Sequence, residues 1–189
     1  MANVDSAFGL KPYGGLSPSN AYMQSRKYLI NPSGYGTTIF QGDLVKFNAG
    51  YIEQAGVSDA NIVGVFNGVF YQSSDGPVFK NFYPASTNAS DITAFVIDDP
   101  DAVFLMNADA AFTRADLFKN YSLSSNSGNT TTGVSEAMLD VSASGVATTF
   151  AVQAIDISQD PENSDTTTSN ANILVRINNH FYRSGTGIA

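Results

Sequence analysis

The chain has 189 residues, a hydrophobic fraction of 43% and no cysteine, so it can form one domain with its own core, while disulfides, thiolate metal sites and cysteine nucleophiles are excluded. A formal net charge of −8 with only nine Lys and Arg argues against a nucleic-acid partner, because phosphate backbones are bound by clustered cations. No apolar run approaches the roughly 20 residues that cross a bilayer, and the first residues lack the basic and apolar regions of a secretory signal, so we expect no membrane partner.

Residues 1–24 are predicted to form an extended N-terminal arm. Residues 8–18 carry large apolar side chains without the period of 2 or 3.6 that would bury them in a strand or helix of their own. Gly and Pro interrupt them every few residues, yet a disordered tail is normally poor in such side chains. An arm of this kind either packs back on its domain or docks on a partner. We expect it to dock, with Phe8, Leu10, Tyr13 and Tyr22 as the partner contacts.

Residues 25–189 are predicted to form a mainly β domain, a barrel or sandwich of short antiparallel strands. Segments of alternating or β-branched residues, bounded by turn residues, indicate nine to eleven strands. The clearest are residues 26–30, 37–40, 43–47, 51–54, 62–71, 77–83, 92–97, 102–106, 149–157 and 173–177. Within the fifth of these, Gly64 and Gly68 indicate bulges or a close backbone approach.

One helical turn and two long polar loops are predicted between these strands. Residues 113–118 favour a single helical turn capped by Thr113. Residues 122–133 and 158–172 are rich in small polar and acidic residues, which is typical of surface loops. No internal repeat of 20–50 residues is visible, which argues against a solenoid or propeller.

Few residues offer chemistry. One histidine, His180, cannot make a multi-histidine metal site, and no G-x-S-x-G motif supplies a serine for a triad, so we expect a structural or interface role for it. The acidic turn Asp98–Asp101 could bind calcium through its carboxylates, but its spacing matches no EF-hand and Pro100 favours a simple turn; both interpretations stay open. We therefore predict no catalytic residue, no metal and no cofactor.

Two rival functions follow from the acidic and aromatic residues. The 17 acidic residues offer carboxylate pairs by chance, so a hydrolase on a β scaffold would require a buried pair with a raised pKa in a cleft. The 13 Phe and 9 Tyr could instead form a platform for sugars, as in a carbohydrate- or receptor-binding β domain of a phage tail or fibre.

Several segments, taken together and in order, carry a resemblance that spans most of the chain. They are residues 8–12 (FGLKP), 64–68 (GVFNG), 83–85 (YPA), 98–104 (DDPDAVF) and 174–178 (LVRIN). In this order and spacing they resemble the capsid cement proteins, also called decoration or head-stabilising proteins, that many tailed bacteriophages encode beside the major capsid protein.

The resemblance implies a non-enzymatic virion structural protein. It would be a β-rich domain on the exterior of an icosahedral head, made in the host cytoplasm, that bridges capsomers with extended arms. The implied partners are the major capsid protein and neighbouring copies of the chain itself, as a homo-oligomer on the shell. Acidity fits this role, because it keeps many copies from binding DNA or one another away from the shell.

Overall fold

The computed structural model describes residues 3, 6–16, 24–59, 61–161, 163 and 165–184. The chain is mainly β, with 47% strand and 4% helix, and its antiparallel sheets are arranged as in a sandwich. The predicted fold class is therefore confirmed, whereas the extended N-terminal arm is not. In the part of the chain that is described, no helix is long and apolar enough to span a membrane.

The strands of the described residues are short, apart from one long central strand. In chain order they are β1 (Lys11–Gly15), β2 (Ser25–Leu29), β3 (Leu44–Asn48), β4 (Tyr51–Gln54), β5 (Ile62–Ser73), β6 (Gly76–Lys80), β7 (Thr93–Ile97), β8 (Ala102–Asn107), β9 (Asn120–Leu123), β10 (Gly128–Asn129), β11 (Val134–Ser135), β12 (Leu139–Gly145), β13 (Val152–Ile157) and β14 (Asn172–Ile177). A 3-10 helix covers Arg114–Asp116, with Thr113 at its N-cap as predicted, and a short helix α1 covers Phe181–Ser184.

Two larger sheets organise these strands. The first sheet has the order β1-β8-β14-β13-β9-β12, so β1 lies at its edge. The second sheet has the order β2-β7-β5-β3-β4, and β6 pairs with the C-terminal half of β5. Strands β10 and β11 form a separate two-stranded pair. The chain crosses from the second sheet to the first between β7 and β8, through the acidic turn Asp98–Asp101.

The second sheet carries buried side chains on both faces over part of its area. Val65 and Ile97 lie opposite each other and belong to the core that is shared with the first sheet. Their neighbours Phe66 and Val96 belong to a second core on the other face. Burial on both faces explains why the sequence of β5 is a nearly continuous apolar run rather than an alternating one.

The two glycines of β5 have the roles that were predicted for them. Gly64 lies against the backbone of Ile97, where a side chain would collide with the carbonyl group. The pairing of β5 with β7 shifts register between Phe66 and Gly68, which is a β-bulge. Gly64 therefore allows the close approach of β5 to β7, and Gly68 lies at the bulge.

Candidate partner-binding surface

The predicted arm contacts lie along the edge of the first sheet, as far as the structure describes them. Leu10 is 1% exposed and belongs to the core that the two sheets share. Phe8 is half-buried, whereas Tyr13, on β1, is 60% exposed. Tyr22 lies outside the described residues. Leu10 therefore packs in the core of its own domain.

Two glycines seat the N-terminal segment against the domain. Gly9 has a φ of 65° and Gly42 a φ of 95°, a region that favours glycine. The amide of Leu10 donates to the carbonyl of Gly42 over 3.0 Å, and a Cβ at Gly42 would lie only 2.9 Å from the carbonyl oxygen of Phe8. The two backbones can approach this closely only because neither residue has a side chain.

Strand β1 forms because β8 offers it a free edge. Its residues pair antiparallel with β8, with a register shift between Pro12 and Gly14. For residues 8–16 the segment thus packs on its own domain, so an extended arm is not confirmed there, and docking of this segment on a partner stays a prediction. The large apolar side chains that this segment leaves exposed are those of Tyr13 and Leu16, which are 60% and 44% exposed. Pro12, which has no N–H, weakens the outer edge as a template for a further strand.

A larger apolar surface lies on the second sheet, where the first sheet no longer covers it. On β7, Phe95 points to the same side as Ile97, since side chains two residues apart share a face. Ile97 packs in the shared core, but Phe95 is only partly buried. We call the part of this face formed by Leu29, Phe70, Phe79 and Phe95 the uncovered patch.

Three residues of the uncovered patch, Leu29, Phe70 and Phe79, lie in one row across four strands, and Thr93 is the fourth residue of that row. Leu29 lies opposite Thr93, Thr93 opposite Phe70, and Phe70 opposite Phe79. Leu29, Phe70 and Phe79 are 54%, 37% and 66% exposed. Because opposed residues share a face and lie about 5 Å apart, Phe70 and Phe79 are direct neighbours on this face, and Thr93 lies between Phe70 and Leu29.

The patch has few polar groups with which to orient a small ligand. The rings of Phe79 and Phe95 are 5.9 Å apart and inclined by 54°, so they do not form a flat platform. The polar side chains nearest to it on the same face include those of Thr93, of Lys27, which lies opposite Phe95, and of Gln72, two residues beyond Phe70. A small-molecule site normally combines apolar walls with several convergent polar groups. The surface is better suited to a protein than to a sugar.

The sequence predicted strands here but not an exposed surface. Phe70 and Phe79 were assigned to ordinary strands, because alternation alone does not show which face is covered. A signal was present in Asp75-Gly76, which favours a tight hairpin turn. In the structure the turn lies one residue earlier, at Ser74-Asp75, so that Ser73 pairs with Gly76. This register, and not one centred on Asp75-Gly76, places the two phenylalanines opposite each other.

The carboxylates of the acidic turn contact neighbouring groups of the chain. Asp98 is 5% exposed, accepts the hydroxyl hydrogen of Tyr28 over 2.6 Å and lies 3.5 Å from the guanidinium of Arg26. Asp99 accepts the amide hydrogen of Asp101 over 2.8 Å, and Asp101 pairs with Arg183. Among the described residues no group of three or more His, Cys, Asp or Glu side chains could hold a metal ion.

Asp43 is a buried carboxylate with a structural role. Burial raises its pKa to about 6, although hydrogen bonds from Ser135, the amide of Phe40 and the side chain of Gln54 partly oppose this. The Phe40 and Gln54 groups donate to its Oδ2 over 2.8 and 2.7 Å. None of these partners is a second carboxylate, so Asp43 does not form the acidic pair that a glycosidase would need.

Comparison of the chain with protein-family models, with curated proteins and with solved structures finds no match.

Proposed function

We propose that this chain is a non-enzymatic virion structural protein that binds the outer surface of a phage capsid and stabilises contacts between major capsid protein subunits. The ordered sequence resemblance to capsid cement proteins supports this proposal. The fold is compatible with it, because a mainly β, sandwich-like domain is what the resemblance implies.

The uncovered patch is the observation that carries the proposal. It continues the face that forms the core between the sheets, yet Leu29, Phe70 and Phe79 are still 54%, 37% and 66% exposed there. Full burial of one large apolar side chain contributes about 1.5–3 kcal/mol. Aromatic side chains clustered in this way are typical of the centre of a protein–protein interface.

The remaining exposed residues suit a rim around such an interface. Tyr13 and Leu16 at the edge of the first sheet add a smaller apolar contact. The net charge of −8 makes free copies repel one another in solution. Binding to the capsid then depends on the uncovered patch and not on non-specific association. A protein that joins neighbouring capsid subunits gains free energy only while both are held together, and it resists their separation.

Sedimentation with empty heads tests this proposal. The heads would be assembled from the major capsid protein of the same phage. We expect the wild type to co-sediment with them and Phe79→Ala to bind at least about tenfold more weakly, a loss of about 1.4 kcal/mol. Phe118→Ala is the matched control, because Phe118 is 71% exposed but lies in the loop before β9. Absence of binding by the wild type, or equal binding by both variants, contradicts the proposal.

A further inference from the structure

The segment after β14 fastens the first sheet to the second. The amide of Asn178 donates to the carbonyl of Ala151, which precedes β13 of the first sheet, over 2.9 Å. The carbonyl of Asn179 accepts the amide hydrogen of Ile62, the first residue of β5 in the second sheet, over 3.0 Å. Phe181 then places its ring 5.3 Å from that of Phe47 on β3. We call residues 178–184 the C-terminal clasp.

Polar side chains hold the same clasp to the acidic turn. The hydroxyl groups of Tyr182 and Tyr28 are 2.7 Å apart, and Tyr28 in turn donates to Asp98. Arg183 forms an ion pair with Asp101. The clasp therefore contacts both sheets and the connection between them.

His180 lies at the centre of the clasp and is held as the neutral imidazole. Its side chain is 1% exposed, and its Nδ1 accepts the amide hydrogen of Tyr182 over 3.2 Å. A nitrogen that accepts a hydrogen bond carries no proton, so the tautomer is protonated on Nε2. Protonation of Nδ1 would turn this hydrogen bond into a contact between two donors and would place a charge in a buried site.

The charges around His180 shift its pKa in opposite directions, and burial has the largest effect on this pKa. Burial lowers the pKa of His180; the charges of Asp98 and Asp99 on the acidic turn raise it, and that of Arg183 on the clasp lowers it. On β2, Arg26 and Tyr28 both contact Asp98 and so share its charge. On β3, Lys46 lies opposite Ile62 but is ion-paired with Asp59.

We propose that the C-terminal clasp is a pH-sensitive latch, closed while His180 is neutral and released from Ile62, Tyr28 and Asp101 when His180 binds a second proton. The direction of this pH dependence follows from the lowered pKa of His180. The folded form takes up this proton less readily than the unfolded form, so the contribution of His180 to stability is present above about pH 6.5 and is lost as the pH falls below it. This inference does not depend on the proposed function.

The single histidine makes the test direct. The titration of the His180 ring would be followed by NMR in the full chain, together with hydrogen exchange of the amides of Ile62, Tyr182 and Arg183, corrected for the intrinsic effect of pH on exchange. Between about pH 7.5 and about pH 5 we expect these amides to lose at least about tenfold of their protection, with the same midpoint as the ring.

His180→Asn is the matched variant, since its amide oxygen can accept the Tyr182 amide hydrogen but does not titrate. We expect its clasp amides to show no acid-dependent loss of protection. The proposal is overturned if the variant loses protection as the wild type does, or if wild-type protection is unchanged while the ring titrates. If the variant does not fold, the wild type alone decides. A loss of amide protection with the same midpoint pH as the titration of the His180 ring supports the latch, and a loss with a different midpoint refutes it.

Discussion

Phe70 and Phe79 lie directly opposite each other on β5 and β6, and both side chains are exposed, although their strands belong to a sheet that is buried on both faces nearby. The sandwich covers only part of the second sheet. The uncovered patch therefore belongs to the same face as the core, which explains why it is apolar and why the sequence alone did not separate it from the core.

The exposure of Phe79 predicts that its side chain matters more for binding than for folding. Phe79→Ala removes a cross-strand pair and a ring contact with Phe95, which contribute about 0.2–1 kcal/mol. Phe66→Ala, at a position that is 0% exposed, should cost about 3–5 kcal/mol. Denaturant unfolding of both variants measures the difference. A cost for Phe79→Ala as large as that for Phe66→Ala would show that Phe79 is a core residue.

Leu10 and Tyr13 were both assigned to the N-terminal arm, but we expect their substitutions to change the free energy of unfolding by different amounts. Leu10→Ala leaves a cavity in the shared core and should lower the free energy of unfolding by about 2–5 kcal/mol. Tyr13→Ala changes an exposed side chain and should stay within about 0.5 kcal/mol. Urea denaturation curves of the two variants test this. Equal, small effects would mean that the segment around Leu10 does not pack on the domain in solution.

The contact between Gly9 and Gly42 can be tested with a matched glycine. Gly50 also has a positive φ, but a Cβ there would meet no atom within 4 Å. Gly50→Ala should therefore cost only the backbone strain, about 1–2 kcal/mol. Gly42→Ala adds a collision with the Phe8 carbonyl and should cost measurably more in thermal or chemical unfolding. A Gly42→Ala variant that is no less stable than Gly50→Ala would contradict the close approach of the N-terminal segment.

Asp43 should make the protein less stable as the pH rises from about 4 to about 6. Its pKa is about 6 in the folded protein, so the folded form binds this proton where the unfolded form has released it. The stabilisation present at low pH is therefore lost as Asp43 ionises, by on the order of 2–3 kcal/mol in total. Asp43→Asn does not titrate, and the difference in unfolding free energy between it and the wild type should change over this range. A difference that does not vary with pH would rule out the raised pKa.

Most strands with strong side-chain patterns were predictable, and strands formed by pairing were not. The strand predicted at residues 37–40 is wrong, because this segment makes only an isolated bridge between Ile39 and Tyr83. Residues 51–54 were assigned as a strand and form β4 with the same ends, and the preceding Ala49-Gly50 turn marks the residue at which this strand begins. Strand β1 was missed because KPYGG has no alternation and depends on the free edge of β8. Strand β12 was missed because its residues 142–145 are small and polar. Strand β9 was missed as well, and its last two residues lie within residues 122–133, which were assigned to a loop.

The candidate surface was less predictable than the fold, for a physical reason. Periodicity reports which residues share a face, but coverage of that face depends on how far the first sheet extends over the second. Phe8, Tyr13 and Tyr22 stay predicted partner contacts, while Leu10 is assigned to the core. His180 was expected to be structural or to lie at an interface, and its burial within the C-terminal clasp gives it a structural place.

Electron cryomicroscopy of heads assembled with and without this chain tests the central claim most directly. We predict added density on the exterior of the shell, with the β5–β6 hairpin and its two phenylalanines seated against neighbouring major capsid protein subunits. Heads that look the same with and without the chain, or bound copies whose hairpin faces solvent, would contradict the account.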